Sequence, residues 1–408
     1  MYTDREASLP KARGCKVLIT GGRAPAALEL ARLLAAAGCV VIAAESAAHH
    51  LCRTSRFVKR SFRVPPPADE PASFVAALEA IIREEKIDWL IPTCEELFVI
   101  ASARDRLSSW CRVFTAPLGQ LRRLHSKWQF IRHAEALGFA VPKTVLIPSA
   151  ADWHEFARSG DLEEMLAAGG CVLKPEYSRS AAKVRIARSR EEAEAAKLDP
   201  RSFPWVAQQY IAGRGICTYS IAHRGRLTAH AAYAAQYQVN GGANVYFETL
   251  THPAVLAWVS RYTAMDRFHG QIAFDFIETE EGKLFPIECN PRTTSGIHLL
   301  AGQPELLSAL LRPEALHDKV VQPMPGNRAM LSLPMLAVGL TGRLPWDACP
   351  AWLAKWLRAA DVTFRWSDPL PCLEQLFMLL DMYRTAAAQH LTLIEASTCD
   401  IEWNGGEL

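Results

Sequence analysis

Glu288 and Asn290 stand two residues apart in FPIECNPR, a strand-like run that stops at Pro291 and Arg292. Positions i and i+2 of a strand share a face, so these oxygen-bearing side chains lie side by side while Ile287 and Cys289 take the other face. The longer run QIAFDFIETEEGKLFPIECN reads as a hairpin about ETEEGK, and its first strand sets Asp275 between Phe274 and Phe276. Pairing the two strands brings Asp275 beside Glu288 and Asn290. Two carboxylates and an amide oxygen are a hard donor set suited to Mg²⁺, and carboxylates so placed repel one another without a cation. The plainer reading is an asparagine before a proline turn and an aspartate paired with an arginine.

A Mg²⁺ ion held by few protein ligands shares its shell with phosphate oxygens, so lysines on rigid elements are the next candidates. Lys127 opens a helix in HSKWQF, and Lys174 ends the strand CVLKP, ahead of the turn SRSAAK. Small residues in such a turn can present backbone N–H groups to phosphate. Either lysine alone is a surface residue by default. The order Lys, Lys-Pro, Asp, Glu-x-Asn is what narrows the reading.

The elements that must position these groups fall into three parts. KVLIT, then GGRAPAALELARLLAAAG, then CVVIAAES read as strand, helix and strand, and the theme continues through IDWLIPT, which makes residues 1–115 one α/β unit around a parallel sheet. The basic segment RTSRFVKRSFRVPPP reads as a solvated loop or edge. Residues 116–311 are dominated by β patterns with turn residues, an antiparallel α+β region. Residues 312–408 form a C-terminal extension or lid with one amphipathic run, PCLEQLFMLLDMYRTAAAQH, whose Leu373, Leu376, Phe377 and Leu380 predict a packing helix.

The bulk numbers narrow the partners. The chain has 408 residues, and 45 basic against 43 acidic side chains exclude the strong positive field expected of a nucleic-acid or anionic-membrane protein. Eleven cysteines, none within ten positions of another, hold no CxxC pair and suit a reducing, cytoplasmic compartment. The longest apolar run is too short to span a bilayer. A small-molecule partner is expected.

Taken in order, these residues resemble the ATP-grasp superfamily over roughly residues 16–302, in particular its L-amino-acid ligases and the short proteins similar to the carbamoyl-phosphate synthase large subunit. The resemblance implies an ATP-grasp fold of mixed α/β and α+β class: a pre-ATP-grasp Rossmann-like domain, then two α+β subdomains that close on ATP about a hinge near 206–215. It gives phosphate binding to Lys127 and Lys174, and adenine-edge contacts to Gln208, Tyr210 and Ile211 in WVAQQYIAGRG. It makes Asp275, Glu288 and Asn290 ligands of Mg²⁺ (or Mn²⁺), and sets Arg292 and Lys174 on the transferred phosphoryl group.

Two departures from the family pattern stand out. The phosphate loop EYSRSAAK has no glycine, so Ser178, Arg179 and Ser180 would supply side-chain contacts instead; Gly215 occupies the place of the usual ribose acid. The implied activity is an ADP-forming ligase that activates a carboxylate as an acylphosphate and joins it to an amine, with a homodimer as a family expectation. His298 is a candidate for placing the acceptor, against a role as a packed or capping histidine. Alternatives are a carboxylase that activates bicarbonate and a non-catalytic nucleotide-binding module. An NAD(P)-dependent epimerase or reductase is disfavoured, because VLITGG continues as RAPAA and none of the nine tyrosines has a lysine four positions later.

Overall fold

A computed structural model describes residues 14–178, 183–239, 242–340 and 345–407. The first sheet is parallel, in the order β3-β2-β1-β4-β5, from β1 (Lys16–Thr20), β2 (Val40–Glu45), β3 (Arg60–Arg63), β4 (Trp89–Ile91) and β5 (Arg112–Val113). Its central strand is almost wholly apolar, with Val17, Leu18 and Ile19 buried, as a parallel strand covered on both faces must be. The basic segment expected to be a loop or edge supplies β3, at the sheet margin.

After β1 the chain turns at Gly21, φ +72°, where a Cβ would come within 2.6 Å of Thr93 Oγ1. Only glycine fits that approach. Glu45 ends β2, where a Rossmann-type dinucleotide site sets its ribose-binding acid, and is occupied by Arg23, whose guanidinium also meets Asp400 at 2.6 Å. Burial pushes the Glu45 carboxyl up, but the Arg23 charge overrides it and holds the group near about 2. A dinucleotide would have to break this buried cluster.

The next sheet, in the order β6-β9-β7-β8, is built from β6 (Thr144–Ile147), β7 (Cys171–Pro175), β8 (Arg185–Ala187) and β9 (Trp205–Gln209). A third takes β10 (Arg214–His223) and β11 (Arg226–Ala234). Two short pairs follow, β12 (Gln238–Val239) with β13 (Ala243–Asn244), and β14 (Tyr246–Glu248) with a later strand. The third sheet is completed by β15 (Gly270–Glu278) and β16 (Leu284–Asn290), giving the order β11-β10-β15-β16. Strand β17 (Arg328–Met330) pairs with β14 and with β18 (Ala360–Asp361). Leu30 and Leu34 of the helix Pro25–Ala36 share one apolar cluster with Tyr219 of β10, Ala231 of β11 and Ile297. The parallel unit and the third sheet are therefore held at a fixed relation.

The C-terminal extension is tied back to the first sheet. Arg32 meets Asp368 at 2.9 Å and donates to the carbonyls of Val362 and Thr363, all buried. The expected packing helix, Leu370–Gln389, forms and seats against the helix Leu51–Thr54, with Phe377 stacked on His49 at 5.2 Å, but the face it buries is not its apolar stripe. Leu373, Leu376, Phe377 and Leu380 are exposed, while Glu374 is buried against His49 and Arg53. Apolar periodicity identified the helix; the side it turns inward carries Glu374 and Met378 instead of the full stripe. Among the described residues no helix is long and apolar enough to cross a membrane, and all eleven cysteines are unbridged.

Candidate functional site

The hairpin expected from the sequence forms, with Asp275 opposite Glu288 and Ala273 opposite Asn290. Asn290 Nδ2 lies 3.4 Å from Asp275 Oδ2, so the three side chains gather on one patch of the sheet. The register slips between Asp275 and Phe276, so that Phe276 pairs with Pro286 and Ile287 is the extra residue of a bulge. Its carbonyl accepts a hydrogen bond from Lys174 Nζ at 3.0 Å. The irregularity that sets Glu288 opposite Asp275 thus also provides an acceptor for a buried lysine.

Lys174 comes from the end of β7, where a strand rigidly held on both sides by β8 and β9 carries it in. Its second partner is Gln208 Oε1 at 2.9 Å, and Gln208 Nε2 in turn donates to Thr144 Oγ1 at 3.0 Å. The amide of Gln208 is thus engaged with Lys174 and with Thr144 of β6. Burial lowers the Lys174 ammonium, and the positive charge of Lys127 adds to this against the pull of Glu288 and Asp275, bringing it down to about 8.

Lys127 is the first residue of the helix Lys127–Ala136, whose N-cap Ser126 accepts from the N–H of Gln129. The Ser126 hydroxyl also donates to the Glu176 carboxylate. Lys127 is buried; its Nζ contacts the Ser178 carbonyl at 3.2 Å and hydroxyl at 3.3 Å, and stands 3.9 Å from Glu288 Oε2. Both lysines and both carboxylates therefore converge, although they arise from four separate elements. Arg179 and Ser180 lie outside the described residues.

The two carboxylates respond to this arrangement. Burial, followed by the charge of Glu288, pushes the Asp275 carboxyl up to about 6. Asp275 is thus held partly protonated by the same neighbour that would share a cation with it, and a divalent ion would relieve both burdens. Among the described residues no three His, Cys, Asp or Glu side chains gather to hold a metal. The donor set here is two carboxylates and an amide, which fits Mg²⁺ when phosphate oxygens and water complete the shell.

Arg292 donates to Asn290 Oδ1 at 3.2 Å, and its Nε lies 3.8 Å from Glu95 Oε1. Glu95 follows β4, at the carboxyl end of the parallel sheet, where open α/β sheets place ligand-facing groups. The sequence reading passed over Glu95, although its position in TCEEL after a predicted strand was the available signal. Also missed was Trp403, whose backbone N–H donates to Glu95 Oε2 at 3.2 Å while its indole N–H donates to the Gly406 carbonyl at 2.9 Å. Its ring stacks on Phe98 at 4.6 Å and lies 5.4 Å from Tyr177 and 6.1 Å from His125. Burial drives the His125 imidazole down to about 4, so it packs there uncharged.

The remaining expected residues fall at different distances from this centre. Tyr210 and Ile211 follow β9 directly, and the Tyr210 N–H is taken by the Gly170 carbonyl at 2.9 Å while Arg188 covers its ring. His298 is buried, with Nδ1 3.3 Å from Glu29 Oε2, and Arg365 closes on the same carboxylate at 2.6 Å. Burial pushes the Glu29 carboxyl up, but these two partners hold it below its ordinary value. His298 thus shares the Glu29 carboxylate with Arg365, a contact that links the segment at Arg365 to the helix Pro25–Ala36.

No protein-family model matches the sequence, and no curated protein does. Solved structures do match in fold. An L-amino acid ligase from Bacillus licheniformis superposes with a TM-score of 0.59 at 14% identity, covering 78% of this chain and 79% of that one. A phosphoribosylamine–glycine ligase from Thermotoga maritima gives 0.55 at 15% identity over 77% and 78%. The biotin carboxylase domain of a single-chain bacterial carboxylase gives 0.56 at 19% identity over 77% and 73%. With its parallel N-terminal domain and its two antiparallel sheets, the chain has the ATP-grasp fold.

Proposed function

We propose that this protein is an ATP-dependent carboxylate–amine ligase, forming a C–N bond by way of an acylphosphate and releasing ADP and phosphate. The observation that carries the reading is the convergence of Lys127 and Lys174 on the Asp275–Glu288 pair, with the Ile287 bulge carbonyl and Gln208 fixing Lys174. Asp275, Glu288 and Asn290 would hold Mg²⁺ (or Mn²⁺), which when bound would neutralise phosphate charge. The domain limits 1–115, 116–311 and 312–408 belong to the same proposal.

In this reading Lys127 and Lys174 hold the phosphates of ATP, and their burial away from water makes each charge count for more. The substrate carboxylate attacks the γ-phosphorus, the bond to the β-γ bridging oxygen breaks, and ADP leaves. Arg292, set between Asn290 and Glu95, meets the charge that develops on the transferred group. The amine then attacks the acyl carbon, phosphate departs, and the proton lost by nitrogen passes to the departing oxygen or to solvent. No side-chain nucleophile is needed. Ser178 and the flanks of the hinge at Tyr210 and Ile211 would border the nucleotide, whereas Gln208 acts through Lys174 and His298 through its contact with Glu29.

The resemblance in fold to biotin carboxylase domains favours a second reading, in which bicarbonate is the carboxylate activated. One assay separates the two. ADP-linked phosphate release is measured against amino-acid pairs, small carboxylic acids and bicarbonate, with Glu288→Ala as control. Release that requires an organic acid and an amine supports the ligase; release that requires bicarbonate supports the carboxylase. ATP binding with no release under any combination counts against both.

A further inference from the structure

The helix Leu370–Gln389 seats on the protein through Pro371, Glu374 and Met378 and by a stack of Phe377 on His49, yet leaves most of its apolar residues in water. Its buried charged side chain is Glu374, held by His49 Nδ1 at 2.9 Å and Arg53 at 3.4 Å. Its apolar stripe, Leu370, Leu373, Leu376, Phe377, Leu380 and Tyr383, is left between 50% and 67% exposed. The spacing i, i+3, i+4, i+7 of this stripe is that of a face made to pack against another helix.

We propose that this face is the contact between two copies of the chain, related by a twofold axis. Area supports it. The six side chains leave roughly 600 Å² of mostly apolar surface in water, the upper end for a whole monomer's largest patch and most of the roughly 800 Å² per partner in a standard interface. Charge supports it too. Near a twofold axis each residue meets its own copy or a close neighbour, so a charge there faces a like charge. From Leu370 to Leu380 the only charged residue is Glu374, and it is turned away into the partnership with His49 and Arg53. A membrane surface is a poorer occupant, because interfacial helices carry many basic residues and this helix has only Arg384.

The dimer is independent of the ligase reading and is tested without it. Sedimentation velocity of the full chain from about 1 to 50 μM should show a species of twice the 45.2-kDa chain mass. The variant Leu376→Arg/Leu380→Arg should weaken dimerisation at least about 100-fold. Because both side chains are exposed, its melting temperature should match the wild type; Leu373→Gln/Leu380→Gln, which adds no charge, guards against a variant that fails to fold. A wild type that stays monomeric at 50 μM overturns the proposal, and one that also sediments with phosphatidylcholine–phosphatidylserine vesicles points to the membrane instead. A dimer that survives both variants overturns it equally, since its contact then lies elsewhere.

Discussion

Asp275 and Glu288 are directly opposed across the β15–β16 hairpin, and Asn290 reaches the first of them from two residues further along. The arrangement is costly alone, because burial and the Glu288 charge together push Asp275 up to about 6. A bound cation favours the carboxylate, so loading the site lowers that value and expels the proton. Calorimetry of Mg·ADP binding at pH 6, run in buffers of different ionisation enthalpy, should therefore report release of about half a proton. The signal should vanish in Asp275→Asn. Binding with no proton change at pH 6 would show that Asp275 is remote from the ligand.

Lys174 gives the opposite sign. Burial, with the Lys127 charge, holds its ammonium down to about 8, so above that pH the free protein carries it neutral. A polyanion favours the protonated form, so binding at pH 9 should take up a proton, and nucleotide affinity should fall up to tenfold per pH unit above about 8. Lys174→Met should bind about 10–100-fold more weakly at pH 7 and lose that dependence. A wild-type affinity flat from pH 7 to 9.5 would remove Lys174 from the phosphate site.

Gln208 is expected to act only through Lys174. Replacing it with leucine removes the Oε1 acceptor and leaves the buried ammonium with the Ile287 carbonyl. The cost should be about 1–3 kcal/mol in urea unfolding, with a downward shift of the pH at which nucleotide affinity falls. A variant that loses stability but keeps the wild-type pH profile would make Gln208 purely structural.

Trp403 joins the end of the chain to the site by a contact with Glu95 that spans 308 residues. Trp403→Ala empties a buried ring site against Phe98 and should cost about 3–5 kcal/mol, and Trp403→Phe should recover most of it. Because the same ring borders Tyr177, at the start of the phosphate loop, the alanine variant should also raise the KM for ATP. Loss of stability with an unchanged KM would confine Trp403 to packing.

What could be read from the sequence, and what could not, divides along the distance between partners. The β15–β16 hairpin was legible because its two strands and the TEEG turn are contiguous, and the i, i+2 alternation fixes the faces. Lys127 at a helix start and Lys174 at a strand end were legible for the same local reason. The partnership of Gln208 with Lys174, 34 positions away, depends on β9 pairing with β7, which no local pattern reveals. Glu374 shows the limit most plainly. The apolar period marked one face of its helix, but the partners of the face turned inward, His49 and Arg53, lie more than 300 residues earlier, where no local pattern reveals them.

The central claim, that two lysines and the Asp275–Glu288–Asn290 set form one nucleotide–metal site, is tested most directly by titrating Mg·ADP into the purified protein at pH 7. Wild type is compared with Glu288→Ala and Lys174→Met, and each variant's melting temperature is recorded alongside. The account predicts saturable binding by the wild type and at least about a tenfold loss in both variants, each still folded. Affinity unchanged in either well-folded variant would contradict it.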